Sequence, residues 1–164
     1  MSYLILIVIY KVSLKDSQSI RSLVEVPLQK NSATVVIWDN SPEAQSQEQL
    51  DWISKKLGKE HVIYQHTPEN KSLSEIYNSF IKLAHKKNDF IILLDQDTSF
   101  DYRLFTTHQQ VLDSGDKSNL YLPIVKFKEK IVSPGKQILF KSFPYKNIKP
   151  GLMASKNNTA INSG

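Results

Sequence analysis

Short, wholly aliphatic runs alternate with segments whose apolar residues recur every three or four positions over the first 115 residues. A run such as Leu4–Ile9 offers no polar side to water, so it reads as a strand buried on both faces. Thr34–Trp38 and Phe90–Leu94 are read the same way, and His61–Gln65 as a shorter strand. Between them, Ile20, Leu23 and Val24 stand at helical spacing, with Pro27 near the end of their segment. Ser41-Pro42-Glu43 combines a capping hydroxyl, a proline suited to a first helical position and an acid for the positive dipole end. It predicts the start of a helix that carries Leu50, Ile53 and Leu57 on one face and closes at Gly58. Leu73, Ile76, Phe80 and Ala84 mark a third helix, and Tyr102–Leu112 a fourth. Four strands alternating with helices predict an α/β fold, its sheet mostly parallel and covered on both faces.

The pattern changes near residue 117. Leu120–Phe127, Ile131–Val132 and Gln137–Phe140 read as strands, and Ser133-Pro134-Gly135 as a turn joining two of them. Charge changes there too. Residues 1–116 carry 12 basic and 15 acidic side chains, whereas residues 117–164 carry nine lysines and one acid, Glu129. The expected organisation is one domain over 1–164, with an α/β part over 1–116 and a basic, mixed β part over 117–164. A lysine-rich half suits nucleic acid, an anionic membrane surface or a phosphorylated ligand, and equally a solvated face. Only two arginines occur, which argues against base-specific nucleic-acid recognition. There is no cysteine, so disulfides, thiolate metal sites and cysteine nucleophiles are excluded. Leu4–Tyr10, the longest apolar run, is far below the ~20 residues of a membrane span and lacks the flanks of a signal peptide. The expectation is a cytoplasmic protein, with peripheral contact at the inner membrane face through the lysines.

Ligands of parallel sheets bind beyond the carboxyl ends of the strands. Asp95-Gln96-Asp97 follows one aliphatic run, and two carboxylates two positions apart can share a divalent cation, Mg2+ or Mn2+, and its phosphate ligand. A plain helix-start loop is the competing explanation. Asp39 ends another run and suits a base or ribose lying over the sheet edge, or a turn. Tyr10 ends the first strand and can stack on the same base. Asn70-Lys71-Ser72 offers a helix cap in Asn70 and a phosphate contact in Lys71, with Asn78 eight residues beyond Asn70. His61, His66, His85 and His108 have no metal-ligand spacing, and no phosphate-binding glycine loop or nucleophile elbow is present.

Taken together, Tyr10, Trp38-Asp39-Asn40-Ser41, Asn70 with Asn78, and Leu93-Leu94-Asp95-Gln96-Asp97-Thr98 resemble the inverting family 2 glycosyltransferases of GT-A fold. The D-Q-D form, Leu122-Pro123 and the ending Ala160-Ile161-Asn162-Ser163-Gly164 resemble their rhamnosyltransferase-type branch. The resemblance implies a Rossmann-like nucleotide-binding sheet and transfer of a sugar from a dTDP- or UDP-sugar to a glycan or lipid-linked glycan. It implies that Tyr10 lies against the base and Asp39 hydrogen-bonds it, that Asp95 and Gln96 line the nucleotide sugar, and that Asp97 with Asp95 holds the metal. Asn70 and Lys71 are weaker nucleotide contacts. Where the family commonly has a glycine this chain has Ser72, and where it has a small residue, Ile76. The general base of such enzymes lies past the serine-glycine segment. The expectation is therefore an N-terminal donor-binding part, with no catalytic base of its own.

Two other readings stand. A haloacid-dehalogenase-type phosphatase also places an aspartate pair after an aliphatic strand. It needs a further acidic pair downstream, which is missing after Asp116. A non-catalytic nucleotide-sugar-binding or interaction module needs no base at all.

Overall fold

The computed structural model describes residues 2–28, 32–84, 90–118, 120–138, 141–146, 148, 149, 151, 159 and 160. Two compact units divide the chain, Met1–Ser114 and Gly115–Gly164.

The first unit is a layered α/β structure. Strands β1 (Tyr3–Ile9), β2 (Ala33–Asp39), β3 (Val62–His66) and β4 (Phe90–Asp95) form a parallel sheet in the order β3-β2-β1-β4. The helices are α1 (Gln18–Val24), α2 (Gln47–Leu57), α3 (Leu73–Ala84) and α4 (Arg103–Asp113). Alternation along each strand divides its side chains between two layers. Ile5, Ile7, Ile9, Val35 and Ile37 pack with Ile20 and Leu23 of α1, Ile53 and Leu57 of α2, and Phe105 of α4. Leu4, Leu6, Val36 and Trp38 pack with Ile76, Phe80 and Ala84 of α3. Burying each such aliphatic side chain contributes about 1.5–3 kcal/mol. The aliphatic runs of β1 and β2 are therefore what hold both layers to one sheet.

Three expectations for this unit need correction. Phe90–Leu94 is not covered on both faces: β4 is an edge strand, and Ile91 (41% exposed) and Leu93 (44%) face outward on the α3 side. Ser41 does not start a helix. Its N–H is bound by the Asp39 carboxylate (3.0 Å), its Oγ accepts from the Lys11 N–H (2.8 Å), and its carbonyl accepts from His66 Nε2 (2.8 Å). With those groups engaged, 41–45 is a loop, and Ser46 caps α2 by accepting from the Gln49 N–H. Nor does Asn70 cap α3. Ser72 does, in a reciprocal arrangement with Glu75: Ser72 Oγ accepts from the Glu75 N–H, and Glu75 Oε2 accepts from the Ser72 N–H (3.1 Å). Asn70 takes the left-handed conformation instead, φ 52°, which asparagine tolerates better than most residues. Gly58 closes α2 as expected, at φ 90°.

The second unit holds small antiparallel sheets. β5 (Val125–Phe127) and β6 (Lys130–Ser133) form a hairpin, and β7 (Gly135–Ile138) pairs with β8 (Lys141–Pro144) and β9 (Thr159–Ala160). Only Val125–Phe127 of the expected strand Leu120–Phe127 is paired; Pro123 has no N–H to give a ladder. The hairpin turn is Lys128-Glu129, both at positive φ (44° and 63°), in the sense that matches strand twist. Ser133-Pro134-Gly135 does join two strands, β6 and β7, but those strands belong to different sheets. Gly135 has to be glycine, because a Cβ there would lie 2.6 Å from the Phe143 carbonyl oxygen. His85, the end of the expected strand Gln137–Phe140, and Ile161–Gly164 lie outside the described residues.

Candidate functional site

All four strands of a parallel sheet end on one edge, and the chain path marks one place on it. β1, β2 and β3 are laid down side by side. The chain then crosses through α3, on the opposite face from α1 and α2, and places β4 on the other side of β1. The loops after β1 and β4 are therefore neighbours, and both lead to helices on the α1 face of the sheet. Tyr10 follows β1 and is exposed, with the Lys11 ammonium 5.1 Å from its ring centre. Asp95-Gln96-Asp97 ends β4. Gln96 spans the two, its Oε1 accepting from the Tyr10 N–H at 2.8 Å.

Asp95 and Asp97 crowd one another. Burial, and then the charge of Asp97, push the Asp95 carboxyl above its ordinary range. Asp95 lies on the α3 side of the sheet, level with Val8, and its charge together with burial raises the Tyr77 phenol of α3. Asp97 is exposed. The loop that carries both carboxylates is held from behind by α1. Ser17 Oγ donates to the Gln96 carbonyl (2.9 Å), and the Ser19 N–H to the same oxygen (3.3 Å). The buried Ser19 hydroxyl donates to the Asp95 carbonyl, with the Thr98 carbonyl 3.1 Å away. Farther along, Ser99 Oγ donates to Gln18 Oε1 (3.0 Å), and Ser22 Oγ accepts from the Phe100 N–H (3.1 Å).

Asp39 lies elsewhere on the edge. It sits on the α1/α2 side, level with Ile9 and His66, two strands from Asp95 and so about 10 Å across the sheet. It is fully buried. Oδ1 accepts from the Ser41 N–H (3.0 Å), and Oδ2 accepts from the Tyr64 hydroxyl (2.6 Å) and Gln45 Nε2 (3.2 Å). Burial, and then the bond to Asp39, raise the Tyr64 phenol well above its usual value. Gln45 also binds the loop after β1, donating to the Val12 carbonyl (3.1 Å) and accepting from the Leu14 N–H (3.2 Å).

Asn70 and Lys71 belong to a third group, past β3. The buried Asn40 side chain donates to Asn70 Oδ1 (2.8 Å) and the Lys71 carbonyl (2.9 Å). It accepts from the Lys71 N–H (2.9 Å) and Thr67 Oγ1 (2.8 Å). Trp38 Nε1 donates to Thr67 Oγ1 (2.9 Å). The Lys71 ammonium pairs with Glu69 at 3.2 Å. The structure thus gathers Tyr10, Asp95, Gln96 and Asp97 at the adjoining ends of β1 and β4, with Asp39 two strands away and Asn70-Lys71 beyond it.

Two carboxylates that repel one another are a donor set for a hard cation, and Mg2+ or Mn2+ suits their oxygens. The described residues hold no group of three or more metal-binding side chains, so a cation at this pair would need further ligands from outside the protein.

Residues 5–163 match the family described as glycosyl transferase family 2. The chain belongs to that family. Its α/β architecture is that of the GT-A fold. Among solved structures, S. aureus TarS, residues 1–349, is similar in fold: the TM-score is 0.51 at 13% identity, covering 84% of this chain. The chain spans 42% of the length of that structure. No curated protein sequence matches it. No helix among the described residues is long and apolar enough to cross a membrane.

Sequence reasoning found the D-Q-D loop of this family 2 chain and missed what positions it. Ser17 caps α1, and Ser19 and Ser22 follow within it, but a serine repeat at a helix start does not name a partner far along the chain. The S-x-x-E pattern at Ser72–Glu75 and the S-x-x-Q pattern at Ser46–Gln49 are the local signals of the starts of α3 and α2.

Proposed function

We propose that this chain binds the nucleotide-diphosphate sugar of an inverting glycosyl transfer, with a glycan or lipid-linked glycan as acceptor. The observation that carries the reading is the junction of the loops after β1 and β4, where an exposed aromatic, Tyr10, is bonded through Gln96 to a loop that bears two mutually repelling carboxylates. The nucleotide base stacks on Tyr10, which requires the Lys11 ammonium to move off the ring. Gln96, bonded to the Tyr10 N–H, keeps the two sides in register. Asp95 and Asp97 would hold Mg2+ or Mn2+, with Asp95 also the candidate contact for the ribose. A bound divalent cation offsets the charge that builds on the leaving diphosphate. Asp39, wholly buried and already bonded to three donors, contributes by holding the loop over 41–45. Lys71 reaches the diphosphate only by leaving Glu69. The D-Q-D form of the motif points to rhamnose as the sugar and to the rhamnosyltransferase-type branch.

Calorimetric titration of the 164-residue chain with dTDP and UDP, with and without Mn2+, tests this. The expected result is metal-dependent binding that Asp97→Ala abolishes while leaving the melting temperature unchanged. Tight binding that ignores Mn2+ and survives Asp97→Ala would remove the metal from the site. A non-catalytic binding module shares this donor site, and transfer of label from a dTDP-sugar to a lipid-linked glycan separates the two.

A further inference from the structure

Residues 115–164 contain nine lysines, no arginine and two acids, Asp116 and Glu129. Asp116 is already engaged, accepting from the Ser118 N–H (2.8 Å) and the Tyr121 hydroxyl (3.0 Å). The lysines are not scattered evenly. Cross-strand partners in an antiparallel hairpin share a face. In the β5–β6 hairpin Phe127 is opposite Lys130, and the Lys128 ammonium of the turn lies 5.3 Å from its ring centre. Phe127 is 64% exposed. In the β7–β8 hairpin Lys136 is opposite Phe143 and Ile138 opposite Lys141. By alternation all four occupy one face, and all four are exposed, Phe143 and Ile138 each at 49%. Two hairpins therefore repeat one composition: a large apolar side chain left in water with cations on either side, Glu129 of the first turn being the one acid among them.

Water is a poor partner for such a face and a lipid interface is a good one. The interface takes apolar side chains at the acyl boundary and lysines at the phosphates just above it. Nucleic acid is less well matched. Single-stranded binders stack bases on aromatic platforms and favour arginine, whereas here an aliphatic isoleucine shares the face and arginine is lacking.

We propose that these two hairpins dock the chain on an anionic lipid surface, with Phe127 and Phe143 entering the interfacial layer and the flanking lysines resting on headgroup phosphates. The inference stands apart from the donor-site reading, because lipid binding is measured without nucleotide.

The test is co-sedimentation of the full 164-residue chain with vesicles of phosphatidylcholine, alone or mixed with phosphatidylglycerol. Binding to the mixed vesicles only, weakening as salt rises, is expected. The double variant K128Q/K130Q should weaken it about 25-fold at low salt, since each lysine near an anionic surface accounts for about fivefold. K128R/K130R should retain it, which separates charge from folding. Phe127→Ser with Phe143→Ser should weaken it about tenfold, the circular dichroism and melting temperature staying those of the parent. Equal binding to neutral vesicles, binding that none of these variants alters, or no binding at all would overturn the proposal. So would tighter binding of oligouridylate than of anionic vesicles at the same salt, which would make the face a nucleic-acid surface.

Discussion

The ends of β2 and β4 each carry an aspartate at the same edge of one sheet, and the two are treated in opposite ways. Asp39 is wholly buried and meets three donors, from Ser41, Gln45 and Tyr64. Asp95 is half-buried, is pushed above its ordinary pKa by burial and by Asp97, and opens towards solvent beside it. A buried carboxylate with its donors in place builds structure. A half-buried carboxylate beside a second one costs stability and leaves a place for a cation. The difference sorts two chemically identical side chains into a scaffold role and a ligand role, and mutation can test the sorting directly.

The largest effect belongs to Asp39→Ala. Removing the carboxylate leaves the Ser41 N–H, the Tyr64 hydroxyl and one Gln45 donor in a buried site without their acceptor. The expected loss is about 3 kcal/mol, which lowers the melting temperature of a unit this size by about 10 °C. Thermal melts followed by circular dichroism measure it. If the variant melts within a degree or two of the parent, Asp39 is not a scaffold residue and the contrast with Asp95 collapses.

Ser19→Ala comes next. The hydroxyl is buried between the carbonyls of Asp95 and Thr98, and its loss costs about 1 kcal/mol of stability. Its sharper consequence concerns the D-Q-D loop, whose backbone then loses a tether to α1. Mn2+-dependent dTDP or UDP affinity should fall about tenfold while metal-free affinity stays put, as suits a positioning residue. A parallel loss of both would mean that Ser19 merely supports the fold.

The sequence made the layered α/β fold legible because two aliphatic runs, Leu4–Ile9 and Thr34–Trp38, leave few alternatives to buried parallel strands. It misjudged Phe90–Leu94 for the same reason: an aliphatic run declares that a strand can be buried, and only sheet order decides whether a neighbour covers it. Ser41-Pro42-Glu43 misled because local capping rules saw a free hydroxyl, whereas tertiary bonds to Lys11, Asp39 and His66 had already engaged the residue. The D-Q-D loop was legible from its own residues. Its supports were not, since Ser17 and Ser19 lie nearly 80 positions away in sequence and nothing local ties them to it.

The smallest expected effect is also the one that separates the two aspartates most sharply. Asp95→Asn keeps the shape of the side chain and removes the charge that burial and Asp97 disfavour. A carboxyl whose pKa is higher folded than unfolded favours the folded state most when protonated. The contribution of this one carboxyl is therefore greatest below the ordinary value of 3.8 and is lost as pH rises through the raised folded value. The asparagine variant does not pay this penalty, so near neutral pH it should melt about a degree or two higher than the parent. Below the ordinary carboxylate range the two should melt together. Melting curves across this span, with and without Mn2+, give both halves of the answer. Mn2+ should raise the parent's melting temperature at neutral pH and leave the variant's unchanged, because a ligand stabilises only the state that binds it. Stabilisation by asparagine with loss of the Mn2+ response marks Asp95 as a residue kept for its ligand at the expense of the fold. Destabilisation at neutral pH would instead place Asp95 with Asp39, among the carboxylates that build the sheet edge.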